Sequence, residues 1–316
     1  GAQGFGRLHH LHTDRLLSLS EDLPAVSVAV DSRERIEAIL DDVRALQGKG
    51  LITLERARLL TGQLEGGRVG EAQPEATKLT IYLGRQERAD GRPAFLAVCE
   101  LLYRCGVAGA TVLLGVDGTR LGQRSRAAFF SRNADVPLMV IAVGSSGRIA
   151  AALPELSRML ARPAMTLERI RICKRDGELL DRPQLLPGTD ERDRSLWQKL
   201  MIYGSESAEH QSGRPLHLEL MRRLRASDAL GATTVRGIWG FHGDHPPHGD
   251  RFLQLRRHVP VVTIVVDSPQ RIAASFQIID ELTGHRGLVT SELVPALSAI
   301  SEHERRGGLR LARHDY

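Results

Sequence analysis

One segment occurs three times along this chain of 316 residues, and the copies superpose without a shift of frame. The first runs Asp22-Leu23-Pro24 through Val30-Asp31-Ser32 to Arg35-Ile36, and the second Asp135-Val136-Pro137 through Val143-Gly144-Ser145 to Arg148-Ile149. The third is His258-Val259-Pro260 through Val266-Asp267-Ser268 to Arg271-Ile272. Repetition at a fixed period sets how many folding units exist and which positions correspond. After each predicted helix comes a further short apolar run ending in Glu55, Glu168 and Glu292, with Thr53, Thr166 and Thr290 two residues before. The second and third copies share another half upstream: Lys78-Leu79-Thr80-Ile81-Tyr82 answers Lys199-Leu200-Met201-Ile202-Tyr203, and Gly91-Arg92-Pro93 answers Gly213-Arg214-Pro215. The first copy has no such half, because Gly1 aligns with Gly115 and Gly237. Two and a half units are therefore expected, the first truncated by roughly forty residues.

Within the second unit, Leu79, Ile81 and Leu83 alternate with Lys78, Thr80 and Tyr82, which predicts a strand. Gly91-Arg92-Pro93 then opens a helix through Phe95, Val98, Leu101, Leu102 and Cys105. Strands follow at 111–114, 138–143 and 165–172, with a second helix marked by Ile149, Leu153, Leu156 and Leu160. The order β-α-β-β-α-β is the split βαβ of ferredoxin-like folds, so the fold class is α+β in tandem units. Residues 1–62 form the C-terminal half of a first unit, 77–175 the second and 196–300 the third, with linkers at 63–76 and 176–195 and a tail at 301–316. Leu138–Val143 and Val261–Val266 are apolar at nearly every position, the signature of strands buried on both faces. A lone unit of this kind leaves one sheet face open. The expectation is an internal pseudo-trimer in which the units cover one another, or a homo-oligomer of chains.

Lys and Arg (43) barely exceed Asp and Glu (38) and are interspersed with them, so the charge of +5 describes a solvated basic surface and not a nucleic-acid site. The three cysteines have no metal-ligand or redox spacing, no apolar run reaches membrane length, and the start lacks signal-peptide architecture; a cytoplasmic protein is expected. No nucleophile elbow, Walker loop or dinucleotide fingerprint is present, which argues against an enzyme.

The string Gly4-Phe5-Gly6-Arg7, His12-Thr13, Leu16 through Pro24, Ile36-Glu37 and Gly50 through Glu55 resembles the bacterial PII-like family of domain of unknown function 190. The later units resemble it through Lys78 to Gly84, Gly91-Arg92-Pro93, Gly109-Ala110-Thr111 and Gly240-Phe241. The resemblance implies kinship with PII signalling proteins, trimers of ferredoxin-like subunits that bind nucleotides or other small ligands between subunits and signal through a long loop after the second strand. No activity is established for the family. Its genes often stand beside fluoride channels, which makes a channel or transporter a candidate partner by association.

Two loops carry the candidate ligand-binding residues. Between second helix and fourth strand stand Gly48-Lys49-Gly50 in the first unit and Gly284-His285-Arg286-Gly287 in the third. Paired glycines let backbone N–H groups converge on an anion while a cation adds charge, and PII proteins are implied to hold nucleotide phosphates there. The bland reading is a glycine-ended helix with a solvated base. The second unit has Ala161-Arg162-Pro163, and this cleft is expected to be degenerate. In the long loop His12, Asp14 and Arg15 align with His248, Asp250 and Arg251. This set could bind an anion through the arginines, relay a proton as in a small hydrolase, or with its neighbouring histidines hold a metal; no metal-ligand spacing is present, and a polar loop is the plainest alternative. The resemblance adds Gly4, Gly6 and Gly240 to the ligand set. Lys78 and Lys199 read as surface lysines at strand starts, and the recurrence of Thr and Glu in all three fourth strands reads as structural. The function expected is a non-enzymatic sensor binding an anionic small molecule, a nucleotide in the first instance, without cofactor or metal.

Overall fold

The computed structural model describes residues 3–5, 12–13, 25–61, 76–120, 123–126, 136–161, 163–243, 247–249, 259–301 and 304–314. Its helices are α1 (Arg33–Leu46), α2 (Ala94–Arg104), α3 (Ser146–Met159), α4 (Leu216–Ala226) and α5 (Pro269–Thr283). Their starts follow the repeat: α2 and α4 open after Pro93 and Pro215, and α1, α3 and α5 after Ser32, Ser145 and Ser268. Proline fixes the φ of a helix entrance, and Gly284, at φ +50°, ends α5 in a conformation that favours glycine. No helix among the described residues is long and apolar enough to cross a membrane.

The second unit pairs Gly109–Leu114, Pro137–Ser145, Ala76–Gly84 and Ala164–Arg175 in that order, all antiparallel. The third repeats it with Ala232–Arg236, Pro260–Asp267, Trp197–Ser205 and Leu288–Val294. On one face of the second sheet Leu79, Ile81 and Leu83 pack with Val98, Leu102 and Leu156 of α2 and α3. In the third, Leu200 and Ile202 pack with Leu220, Leu224 and Phe276 of α4 and α5. Each such side chain contributes about 1.5 to 3 kcal/mol by leaving water. The other faces meet each other: Ile141, Val143 and Ile170 of the second unit lie in one buried cluster with Met201, Tyr203 and Val262 of the third. That contact explains strands apolar on both sides.

Strands also cross between units in matching register. Trp239–His242 pairs with Gly109–Leu114 of the second unit, with Gly240 opposite Thr111 and Phe241 opposite Ala110. Gln3–Phe5, its counterpart in the first copy, pairs with Ala232–Arg236 of the third, with Gly4 opposite Thr233 and Phe5 opposite Ala232. Beyond each recurring glutamate the strand runs on to a neighbour. Arg58–Thr61 pairs with Ala164–Leu167, Arg171–Arg175 with Leu288–Ser291, and Ala296–Ile300 with Gly50–Leu54. First segment to second, second to third and third to first, these pairings close a ring.

Three expectations are corrected. Ala25–Val30, which the repeat aligns with the strands of 138–143 and 261–266 and so predicts as a strand, is extended but pairs with no strand among the described residues. The segment 176–195 is ordered: Glu178–Leu179 pairs back on Lys174–Arg175, and the Asp190 carboxylate accepts from the backbone N–H groups of Arg192, Arg194 and Arg313. Residues after 300 are more than a tail, because Arg305–Gly308 pairs with Ala296–Ile300 and Ala312 is buried.

Candidate functional site

The repeated strands bring their ionisable residues to one point. Lys78 stands directly opposite Glu168 in the second unit, and Lys199 directly opposite Glu292 in the third. Glu55, Glu168 and Glu292 place carboxylate oxygens within 4.8 Å of one another. Lys78 Nζ lies 3.0 Å from Glu168 and donates to Glu292 at 2.6 Å; Lys199 Nζ lies 2.9 Å from Glu292 and donates to Glu55 at 2.5 Å. The reading of these lysines as surface groups is therefore wrong: their exposures are 5% and 8%, because the neighbouring units cover the strand ends.

Burial works against both ammonium groups, but the surrounding carboxylates outweigh it and hold their pKa values above the ordinary lysine value. Burial pushes Glu55 up, yet the charges of Lys199 and Lys78 and hydrogen bonds from Lys199 and Thr53 bring it down to about 2. Glu168 goes the other way. Burial dominates there, Lys78 offsets part of it, and the Glu292 charge adds to the rise. Three carboxylates this close could ligate a cation, but two ammonium groups already stand among them. The cluster is an ionic knot between units, and removal of one partner would strand buried charge.

A cavity of about 430 Å³ opens at the seam of the second and third units. Arg286 and Gly287 reach it from the loop after α5, Ser205 and Ser207 from the end of Trp197–Ser205, His217 from α4 and His242 from the strand that crosses to the second unit. Asp176, directly after the second unit's last strand, closes one side, and the other lining residues belong to the third unit. The seam is tight: Asp176 donates its backbone N–H to the Gly287 carbonyl at 3.0 Å. A Cβ at Gly177 would overlap the His285 backbone, and one at Gly243 would meet the Asp176 carboxylate at 2.5 Å. Both glycines have positive φ, at +86° and +61°, so they permit the turn as well as the approach. Ile202, Leu216 and Leu220 supply an apolar wall. The volume and the mixture of apolar wall and few polar groups suit a small organic ligand.

Of the sequence-derived candidates, Arg286 and Gly287 line this cavity. Gly284 ends α5 beside it with open space at its Cα. Gly48, Lys49 and Gly50 are exposed and lie apart from it, at a loop tied to the third unit by Gln47, whose Nε2 donates to the Ser298 carbonyl at 3.2 Å. Gly240 serves packing, since a Cβ there would overlap the Ala110 carbonyl oxygen. Gly4 and His12 pair with each other in a short ladder, with Gly4 also opposite Thr233. His248 pairs with Gly240, and its ring centroid lies 6.4 Å from that of His242. Gly6, Arg15 and Arg251 lie outside the described residues. The sequence reading does not single out His217, Asp176 or Ser207; Ser207 and His217 stand close in sequence at the entrance to α4, and only Asp176 comes from outside the third unit.

A family model described as "Uncharacterized ACR", domain of unknown function 190, matches residues 1–59, 76–172 and 197–296. The chain is also similar to a UPF0166 protein of Aquifex aeolicus (strain VF5), with 31% identity over 99 residues that cover 31% of this chain and 90% of the relative. That relative is scarcely longer than one repeat.

Proposed function

For a chain that belongs to the domain of unknown function 190 family and repeats its unit, we propose a non-enzymatic, PII-like binding protein of the cytoplasm whose three units form an internal pseudo-trimer. Its ligand is an anionic small molecule, a nucleotide in the first instance, held at the seam of the second and third units. The observation that carries this reading is the 430 Å³ cavity lined by Arg286 and Gly287 of the third unit together with Asp176, the residue that follows the second unit's last strand. The guanidinium offers charged donors to a phosphate or carboxylate, the serines offer hydroxyls, and the apolar wall takes a ring. A ligand there touches both units, so binding favours the arrangement that keeps the seam closed, by as much as its affinity differs between open and closed states. The loop following the crossing strand would present the change to a partner, a channel or transporter by the family association.

The test is a thermal-shift titration of the full chain with AMP, ATP and a cyclic dinucleotide. A ligand at a hundred times its Kd stabilises by about 2.7 kcal/mol. Arg286→Ala is expected to remove most of the shift. Absence of any shift, or a shift that survives the substitution, removes the cavity as the binding site.

A further inference from the structure

We propose that the turn after α2 is a binding site for a small organic carboxylate, whose carboxylate group takes the place that the Asp228 side chain fills in the third unit. The site is separate from the seam cavity and does not depend on the ligand proposed for it.

The two complete units build this turn alike. After α2, Gly106 donates its N–H to the Tyr103 carbonyl at 2.9 Å and Val107 to the Leu102 carbonyl at 3.1 Å. After α4, Asp228 donates to the Arg225 carbonyl at 3.2 Å and Ala229 to the Leu224 carbonyl at 3.3 Å. Gly106 and Asp228 both have positive φ, at +70° and +60°. One backbone conformation therefore carries glycine in the second unit and a carboxylate in the third.

An arginine from the unit's second helix lies over each turn, at matching positions of α3 and α5. Arg271 donates to the Asp228 carbonyl and, at 3.0 Å, to the Asp228 carboxylate. Arg148 donates to the Cys105 carbonyl at 3.4 Å and has no carboxylate partner among the described residues. A Cβ placed on Gly106 would lie 3.3 Å from Arg148 Nη1. The guanidinium thus faces the point from which an aspartate would reach it.

Beside Gly106 the structure leaves a cavity of about 330 Å³, lined by Tyr103, Arg104, Gly106, Val107, Arg175 and Gly243. Its walls are held in place: the Gly243 N–H donates to the Ala108 carbonyl at 2.9 Å, and the Tyr103 ring packs edge-on against Phe241 with centroids 5.4 Å apart. Tyr103 and Val107 offer apolar surface to a carbon skeleton. The arginines offset the negative end of α2, which by itself would repel an anion. Arg104, where the third unit has Ala226, meets Glu155 at 3.1 Å, and Arg175 meets Asp176 at 3.4 Å. The guanidinium charge left over is that of Arg148. A singly charged carboxylate balances it through charge-assisted hydrogen bonds, whereas a phosphate dianion would leave the site negative.

The test follows the fluorine resonance of para-fluorobenzoate as the full chain is added, with acetate and inorganic phosphate as competitors. Saturable broadening that acetate reverses is expected. Arg148→Ala should weaken binding by roughly tenfold, the loss of one charge-assisted hydrogen bond. Gly106→Asp, which gives the turn the third unit's own carboxylate, should abolish binding with the melting point kept near the parent's, because Asp228 already holds that backbone conformation. Should Gly106→Asp fail to fold, Arg148→Ala still decides, since Arg148 is exposed and outside the core. No saturable binding, equal affinity in the parent and Arg148→Ala chains, or full affinity in a folded Gly106→Asp chain overturns the proposal. Displacement of the probe by phosphate at a lower concentration than acetate overturns the carboxylate class. The two cavities stand back to back, with Arg175 and Gly243 lining this one and Asp176 and His242 the other. Arg286→Ala should therefore leave the probe bound; its release would place the probe in the seam cavity and overturn this site.

Discussion

Replacing Lys78 by methionine keeps the length and apolar stem of the side chain and removes the ammonium that joins Glu168 to Glu292. Lys78 is 5% exposed, so water does not replace the lost charge. Lys199, at 2.5 and 2.9 Å from Glu55 and Glu292, is already engaged and leaves Glu168 without a cation. Two carboxylates with oxygens within 4.8 Å of each other repel by at least about 3.5 kcal/mol at an effective dielectric constant of about 20. Breaking a buried pair from one side costs about 3 to 5 kcal/mol. The two routes agree, and at roughly 2 °C per kcal/mol the melting point should fall by about 6 to 10 °C at pH 7. Acid should narrow the gap. The folded-state pKa of Glu168 is raised above its ordinary 4.5, so the folded chain binds this proton more tightly than the unfolded chain, and its contribution favours folding as pH falls towards 4.5. Without Lys78 that carboxyl is raised further, and the variant recovers more than the parent. Melts of both proteins at pH 7 and pH 5, with Lys78→Met/Glu168→Gln as the repaired variant, read these effects. A loss under 2 °C at pH 7, or a loss that acid leaves unchanged, would refute the reasoning.

Glu168→Gln alone should cost less than about 1 kcal/mol by urea denaturation, because it removes a carboxylate whose charged form is already disfavoured. Glu55 behaves oppositely: its folded pKa of about 2 against an ordinary 4.5 contributes about 3 kcal/mol that is present above pH 4.5 and lost as pH falls towards 2. Glu55→Gln should flatten that part of the acid stability curve; an unchanged curve would show that the pair does not form. Gly240→Ala drives a Cβ into the Ala110 carbonyl oxygen and should lower stability by about 2 kcal/mol through the crossing strand, with an unchanged urea midpoint counting against the close approach.

The repeat made much of the fold legible. Frame-matched strands, the helices opened by Pro93 and Pro215, and the apolar runs at 138–143 and 261–266 follow from local periodicity, and the doubly buried strands announced a covering neighbour. The lysines show where local reasoning stopped. A strand-start lysine is commonly at the surface, and only the convergence of units makes Lys78 and Lys199 internal. A signal was present: lysine recurs at one position in both complete units while glutamate recurs in all three fourth strands. Of the residues that line the cavity, Arg286 and Gly287 were legible, because a glycine-flanked base after a helix is a local pattern. Asp176 joins the cavity only through long-range pairing, its N–H to the Gly287 carbonyl, which no local pattern encodes.

Hydrogen exchange of the full chain with and without a stabilising nucleotide tests the central claim most directly. Binding at the seam should slow exchange in residues 203–208 and 283–287, and Arg286→Ala should abolish that protection. Protection confined to other segments, or none at a saturating concentration, would contradict a ligand site between the second and third units.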